Sequence, residues 1–212
     1  MVNIPIESQY YDNTRLYDND TFSFNPGVTF LVGCNGSGKT TLMHQIEHFY
    51  NSLDVSDSKT RAKYFPCQDS GRIIEHSFWI GDTQLGATLM SSSEGERMSI
   101  GLQTAFSWMW NQCKQENVET IFMMLDSLDS GIDIPTIQNI RNILFEVVDI
   151  VKKEYDIDLY ILVSSNSYAL IENQQCLVVK TGQTITFENW DNYVDFCKKS
   201  DKYKQERYSK FH

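Results

Sequence analysis

The 212-residue sequence has no long apolar run, and no stretch approaches the roughly 18 apolar residues that a membrane-spanning helix needs. Its first residues, MVNIPIESQYYDN, have neither the basic segment nor the apolar segment of a secretory signal peptide. We therefore expect a cytoplasmic protein that does not insert into a membrane.

The cysteines lack any pattern that would join them. There are five, an odd number, and no two form a C-x-x-C pair or stand with histidines at metal-ligand spacing. This arrangement argues against a disulfide framework or a structural zinc site. It fits a reducing compartment, in agreement with the cytoplasmic location.

The sequence also lacks an excess of positive charge, since 18 Lys and Arg residues stand against 28 Asp and Glu residues, a net charge of −10. Such a chain does not coat nucleic acid or an anionic membrane over its whole surface. Segment 189–212, predicted as a C-terminal helix, is an exception because it is basic and rich in aromatic residues. It either contacts nucleic acid or is an ordinary solvated helix.

Short apolar runs alternate with stretches of helical spacing, which predicts an α/β fold with a mixed or parallel sheet flanked by helices. The predicted strands are Val28–Val32, Ile121–Leu125, Leu159–Val163 and Leu177–Val179. The predicted helices begin at Thr40, after Ser93 and near Pro135. The polar stretch Asn51–Lys63 is predicted as an exposed loop.

One motif indicates a specific ligand: residues 33–40, GCNGSGKT, match G-x-x-x-x-G-K-[ST] between a predicted strand and a predicted helix. The backbone N–H groups of Gly33, Asn35, Gly36, Ser37 and Gly38 are expected to surround phosphate oxygens. The motif predicts that Lys39 reaches the β and γ phosphates of ATP and that Thr40 offers its hydroxyl to Mg²⁺.

A P-loop needs a second group on the metal side, normally a carboxylate at the end of a neighbouring buried strand. Asp126 meets this requirement because it directly follows the apolar run Ile121–Leu125. We predict Asp126 as the Walker B residue. The expected cofactors are therefore ATP and Mg²⁺.

Three motifs together resemble the ATPase head of ABC-type proteins of the SMC/RecF class. They are Gly33–Thr41, which has the G-x-N-G-S-G-K-[ST]-T form, then Ser93–Arg97, which is similar to the S-G-G-[QE] signature, and Asp126–Asp133. The resemblance implies one ATPase domain over residues 1–212, with a strongly reduced helical subdomain in residues 51–90. It also implies that Thr41 belongs to the ATP site.

In the resembled class the nucleotide is held between two subunits. The resemblance implies that Ser93, Gly95 and Glu96 contact ATP held by the opposite subunit, and that Asp133 is the D-loop aspartate at the dimer interface. It therefore implies an ATP-dependent homodimer. In Ser93–Arg97, Glu94 replaces the first glycine of the family signature.

Two departures from the family pattern affect hydrolysis. Ser127 stands where the class has a catalytic glutamate, and a Ser hydroxyl accepts no proton at neutral pH without its own base. Either hydrolysis is slow or Asp129 replaces the missing carboxylate. Asn166 stands near the position of the usual switch histidine, and it can donate a hydrogen bond but cannot carry a charge.

Further site residues are implied by position in the resembled family. An N-terminal strand there brings basic and aromatic residues to the nucleotide, which indicates Arg15 and Tyr17. The Q-loop glutamine that contacts Mg²⁺ is either Gln68 or Gln84. An ordinary exposed strand is the alternative for the first pair.

The sequence thus predicts an ATP-binding protein, an ATPase that dimerises head-to-tail around ATP and Mg²⁺. It would control a protein partner in DNA metabolism or in defence against foreign DNA, with nucleic acid a further possible ligand. The alternatives are a nucleotide-binding subunit of an ABC transporter and a regulatory module that binds ATP without hydrolysing it. Ser127 and the short segment between Lys39 and Glu94 speak against the transporter subunit.

Overall fold

The structure is a computed structural model that describes residues 1–8, 15–53, 59–67, 94–129 and 132–208. Its strands are β1 (Val2–Pro5), β2 (Thr21–Phe24), β3 (Gly27–Val32), β4 (Thr60–Pro66), β5 (Thr120–Asp126), β6 (Asp158–Ser164), β7 (Gln175–Val178) and β8 (Thr184–Thr186). Its helices are α1 (Lys39–Ser52), α2 (Glu94–Cys113), α3 (Ile134–Tyr155), α4 (Tyr168–Ile171) and α5 (Trp190–Tyr208).

The main sheet has six strands in the order β4-β5-β6-β3-β7-β8. All neighbours pair in parallel except the edge pair β7–β8, which is antiparallel. The central strands β5 and β6 are almost continuously buried, as strands covered by helices on both faces must be. The predicted α/β fold of a P-loop NTPase is confirmed.

Each face of the sheet has its own hydrophobic core. Alternate residues of β5 divide between them: Met123 belongs to the core that contains α2 and α3, whereas Phe122 and Met124 belong to the core that contains α1. The small antiparallel sheet β1–β2 closes the second core with Phe22 and Phe24. Because α1 is the next element after β3, the P-loop between them lies at the carboxyl end of β3.

Helix α3 shows why the sequence folds as predicted in this region. Asp133 is its N-cap, a proline follows within the first turn, and Asp156 ends the helix in a left-handed conformation. Its buried side chains recur at helical spacing: Ile137, Ile140, Leu144, Val147 and Val151.

One prediction about the secondary structure is wrong. Residues 51–63 were expected to form an exposed loop, but Thr60–Pro66 form β4, which pairs in parallel with β5 along its whole length. The sequence TRAKYFP has no apolar run because β4 is an edge strand, and only Ala62 and Phe65 of it are buried. Residues 54–58 of the expected loop lie outside the described ranges.

None of the helices in the described part of the chain is long and apolar enough to cross a bilayer.

Candidate nucleotide site

The P-loop connects β3 to α1 by a turn that only glycine fits. Gly38 has φ 99°, and a Cβ at this position would lie 2.8 Å from the Leu16 side chain and 2.9 Å from the ring of Tyr17. Both the backbone conformation and the close approach exclude a larger residue. The sequence following Gly38 enters α1 directly at Lys39, so the helix N-terminus faces the space above the loop.

Lys39 is held inside the loop, with only 8% of its surface exposed. Its Nζ donates to Gly33 O at 2.7 Å, to Cys34 O at 3.3 Å and to Asn166 Oδ1 at 3.1 Å. Burial lowers the pKa of Lys39, although Cys34, Asp126 and Asp129 oppose this effect. An ammonium group desolvated in this way is prepared to exchange neutral acceptors for phosphate oxygens.

Asp126 lies next to the P-loop, as predicted. Its Oδ2 accepts hydrogen bonds from Thr40 Oγ1 at 2.7 Å and from Tyr64 Oη at 2.9 Å, and its Oδ1 accepts one from Ser164 Oγ. A hydroxyl and a carboxylate within contact distance supply the hard oxygen ligands that Mg²⁺ prefers. Thr40 and Asp126 therefore fit the metal position of a P-loop protein.

Ser127, at the position of the missing glutamate, occupies an unusual backbone conformation. Its φ is 57°, and its N–H donates to Ser164 Oγ at 2.9 Å. Ser164 thus bridges Asp126 and Ser127, which fixes the chain where it leaves β5. A left-handed non-glycine residue costs energy that the surrounding bonds must offset.

Asp129 is oriented toward the loop after β6. Its Oδ2 accepts from Ser165 Oγ at 3.0 Å and from the backbone N of Asn166 at 2.7 Å. The side-chain oxygen of Asn166 accepts a hydrogen bond from Lys39 Nζ. The backbone carbonyl oxygen of Asn166 accepts one from Tyr193 Oη at 2.6 Å. Lys39, Asp129 and Asn166 are therefore brought into one cluster, although the sequence separates them widely.

The N-terminal segment contributes differently from what was expected. Arg15 is exposed beside the P-loop, where it donates to Tyr17 O at 2.8 Å and pairs with Asp20 at 3.0 Å. Tyr17 is fully buried, and its Oη donates to Gly38 O at 2.8 Å. The structure therefore does not place Tyr17 where it was expected, in contact with the nucleotide. The Tyr17 ring is buried against the P-loop and supports the loop.

Helix α5 packs across the P-loop. The backbone N–H of Cys34 donates to Ser200 Oγ at 2.9 Å, and Cys34 Sγ lies 3.4 Å from Ser200 O. A cleft of 320 Å³ remains between the loop, the Arg15 segment and α5. Residues of four segments line it, among them Arg15, Gly36, Ser37, Lys180, Tyr203 and Lys204.

The residues that would act from a second subunit are only partly described. Ser93, Gln68 and Gln84 lie outside the described ranges, whereas Gly95 and Glu96 belong to the first turn of α2. Asp133 is the exposed N-cap of α3, and its Oδ1 accepts from the backbone N of Thr136 at 2.8 Å. This bond holds the pKa of Asp133 below its usual value.

Asn35, Ser37 and Thr41 complete the predicted ATP-binding set. Asn35 lies exposed at the tip of the loop, and Thr41 lies in the first turn of α1. Ser37 Oγ is buried against Gly33, without a hydrogen-bond partner among the described residues. A Cβ on Gly33 would lie 2.4 Å from this oxygen, so the loop closes tightly here.

Comparison with known proteins bears on the region that contains the P-loop. A model of the AAA domain family matches residues 10–84, which include β3, the P-loop and α1. The DNA replication and repair protein RecF of Clostridium acetobutylicum is 41% identical over 58 residues, 27% of this chain. These matches support a resemblance to the SMC/RecF-like P-loop ATPases. The match spans 15% of the length of the RecF protein.

Three contacts of this site were not predicted from the sequence. They come from Tyr64, Ser164 and Tyr193, which support Asp126 or Asn166. Ser164 could have been found, because it ends the strand beside β5 and so lies at the same sheet edge as Asp126. Tyr64 and Tyr193 have no local signal, since their positions depend on β4 and α5.

Proposed function

We propose that this cytoplasmic chain binds ATP with Mg²⁺, closes head-to-tail into a homodimer around the nucleotide, and hydrolyses ATP slowly while controlling a protein partner in a DNA-related process. The observation that carries the ATP site is the joined cluster of Lys39, Thr40, Asp126 and Asn166. It combines a phosphate-binding cation, a metal-side hydroxyl and carboxylate, and a neutral sensor on one sheet edge.

Binding follows from these groups. Lys39 exchanges its bonds to Gly33 O and Cys34 O for phosphate oxygens, and the N–H groups of the loop surround the phosphates. Thr40 and Asp126 would hold Mg²⁺, which neutralises charge on the phosphates when it is bound. The opening of α1 adds its positive dipole end.

The position of α2 supports a composite site. Helix α2 lies in the connection between the parallel strands β4 and β5, and a helix in such a crossover runs antiparallel to the strands, which would bring its first turn toward the sheet edge that carries Asp126. Helix α2, which begins at Glu94, would then offer the N–H groups of its first turn to an anion at this edge. In a head-to-tail dimer, this helix start would face the ATP bound by the other subunit.

Hydrolysis needs a base, and Asp129 is the described carboxylate best placed for it after Asp126. Asp126 is occupied with the metal-side contacts, and Ser127 lacks the required basicity. One oxygen of Asp129 accepts two hydrogen bonds from the loop after β6, which fixes the carboxylate near Lys39. Asp129 would accept the proton of the attacking water through its other oxygen.

A DNA-related role rests on the name of the matched RecF protein and on the domain type. The net charge of −10 argues against broad contact with nucleic acid, so the DNA connection would run through a partner or a local surface. A fluorescence anisotropy titration of labelled single- and double-stranded DNA, with and without ATP, measures any direct contact.

Light scattering coupled to size-exclusion chromatography tests the dimer. The wild type should pass from monomer to dimer when Mg²⁺ and a slowly hydrolysed ATP analogue are added. Lys39→Ala should stay monomeric because it loses ATP, and Ser93→Arg should stay monomeric although it still binds ATP. An unchanged wild-type mass at saturating nucleotide contradicts the dimer, whereas a dimer formed by Ser93→Arg contradicts the composite site.

A regulatory module that binds ATP without hydrolysis is the second candidate, and Ser127 and Asn166 favour it. Phosphate release measured for the wild type, Asp129→Ala and Ser127→Glu separates the two. Turnover by the wild type that is lost in Asp129→Ala excludes the module. Turnover that appears only in Ser127→Glu favours it.

A further inference from the structure

The C-terminal helix α5 presents one continuous stripe to the nucleotide site. Tyr193, Cys197, Ser200 and Lys204 recur at spacings that place them on the same face of a helix. Tyr193 bonds the carbonyl of Asn166 and Ser200 bonds the backbone of Cys34. These two contacts fix α5 across both the P-loop and the loop after β6.

Lys204 of this stripe lies beside Gly36 of the phosphate-binding turn. A Cβ on Gly36 would lie 3.4 Å from Lys204 Cε and 3.7 Å from its Nζ. Lys204 is half-buried, whereas Lys198, Lys199 and Lys202 of the same helix are exposed. The sequence therefore directs one of these lysines toward the loop and leaves its neighbours in solvent.

The other cations of the cleft are already paired. Arg15 pairs with Asp20 at 3.0 Å, and Lys180 pairs with Asp18 at 2.8 Å. Lys180 also lies 5.9 Å from the centre of the Tyr203 ring, which is 57% exposed. Tyr203 lines the same cleft as Gly36 and Ser37, so its exposed aromatic ring lies beside the P-loop.

We propose that α5 forms one wall of the nucleotide site, with Lys204 contacting phosphate oxygens and Tyr203 stacking on the base. This inference rests on the proposed ATP site and adds two binding residues to it. The cleft offers the chemistry that a nucleoside triphosphate needs: backbone donors and an ammonium at one end and an aromatic ring beside them. Tyr203 takes the role that the sequence had suggested for Tyr17.

Calorimetric titration with ATP and with inorganic tripolyphosphate, which lacks the base, tests the two roles separately. Lys204→Ala should weaken binding of both ligands about tenfold, as the loss of a charge-assisted hydrogen bond does. Tyr203→Ala should weaken ATP binding about five- to tenfold, because it removes base stacking. Tyr203→Ala should leave tripolyphosphate binding unchanged.

Matched variants control for the helix itself. Lys202→Ala removes a lysine of α5 that is 78% exposed, and it should bind both ligands like the wild type. Lys204→Arg and Tyr203→Phe keep the cation and the ring, so they should retain most of the affinity. Circular dichroism shows whether each variant keeps its helix content.

The outcomes separate this inference from the proposed function. A wild type that binds no ATP, or binds it independently of Lys39, overturns the ATP site itself. If ATP binding by the wild type depends on Lys39, and Lys204→Ala and Tyr203→Ala bind ATP as tightly as the wild type, only the role of α5 is overturned. Tighter binding by Lys204→Ala also overturns it, because α5 would then obstruct the cleft.

Discussion

Thr40 Oγ1 lies 2.7 Å from Asp126 Oδ2, which joins the first turn of α1 to the end of β5. The two residues are distant in sequence, and the contact arises because β3 and β5 each end at the same edge of a parallel sheet. It places a hydroxyl and a carboxylate where one divalent cation can bind both.

Removing either member of this pair should weaken Mg²⁺-dependent ATP binding. For Thr40→Val and Asp126→Asn we expect a loss of about tenfold or more, while Thr40→Ser retains the hydroxyl and the affinity. Titration of ATP with Mg²⁺ and with EDTA measures the metal-dependent part. Equal binding by Thr40→Val and Thr40→Ser would refute the metal-side role.

Ser164 should matter because it supports Asp126 and Ser127 together. Ser164→Ala removes one hydrogen bond to the carboxylate and leaves the N–H of Ser127 unpaired, so we expect Mg²⁺ affinity to fall by about tenfold. Tyr64→Phe removes the other supporting bond to Asp126 and provides the comparison. Titration of Mg²⁺ at fixed ATP measures the Mg²⁺ affinity of both variants. An unchanged Mg²⁺ affinity of Ser164→Ala would contradict the supporting role of Ser164.

Asp129→Asn tests the proposed base. It keeps the size of the side chain but loses the proton acceptor, so kcat should fall by about 10²–10⁴-fold while ATP affinity stays unchanged. Ser165→Ala is the control, because it removes one hydrogen bond to Asp129 and leaves the carboxylate in place. Steady-state phosphate release gives kcat. A drop of the same size in Ser165→Ala would assign the effect to the loop and not to the base.

A feature of this site can be predicted from the sequence when the residues that form it lie close together in the chain. The P-loop is contiguous and stands between a strand and a helix, so its geometry is contained in residues 27–52. Asp126 was also predictable, because an apolar run that ends in a carboxylate indicates a buried strand reaching the ligand edge. Both predictions depend on neighbours in sequence.

The features that were missed depend on distant neighbours. β4 has no apolar run, and it becomes a strand through pairing with β5. Tyr17 was expected at the nucleotide, but the packing of Phe22 edge-on at 5.5 Å and the bond to Gly38 O draw its ring into the core. Likewise α5 was predicted as a helix, while its position across the P-loop depends on tertiary contacts such as Ser200 to Cys34.

Asp133 has two assigned roles that a pair of variants can separate. As the N-cap of α3 it is replaceable by asparagine, so Asp133→Asn should keep the melting temperature, whereas Asp133→Ala should lower it. If Asp133 is also the D-loop aspartate, Asp133→Asn should weaken ATP-dependent dimerisation because it removes a charge. Thermal unfolding and light scattering measure these effects. Normal dimerisation by Asp133→Asn limits the residue to its capping role.

Tyr17→Phe should reduce stability without changing ATP affinity. The ring stays in the core, but Gly38 O loses its 2.8 Å hydrogen bond, which costs about 1 kcal/mol in the free energy of unfolding. Tyr17→Ala also empties a buried site, so we expect a further loss and a total of about 3–5 kcal/mol. Urea denaturation measures stability, and calorimetric titration measures ATP binding. A Tyr17→Phe variant with wild-type stability but weaker ATP binding would show that Tyr17 contacts the nucleotide and does not support the P-loop.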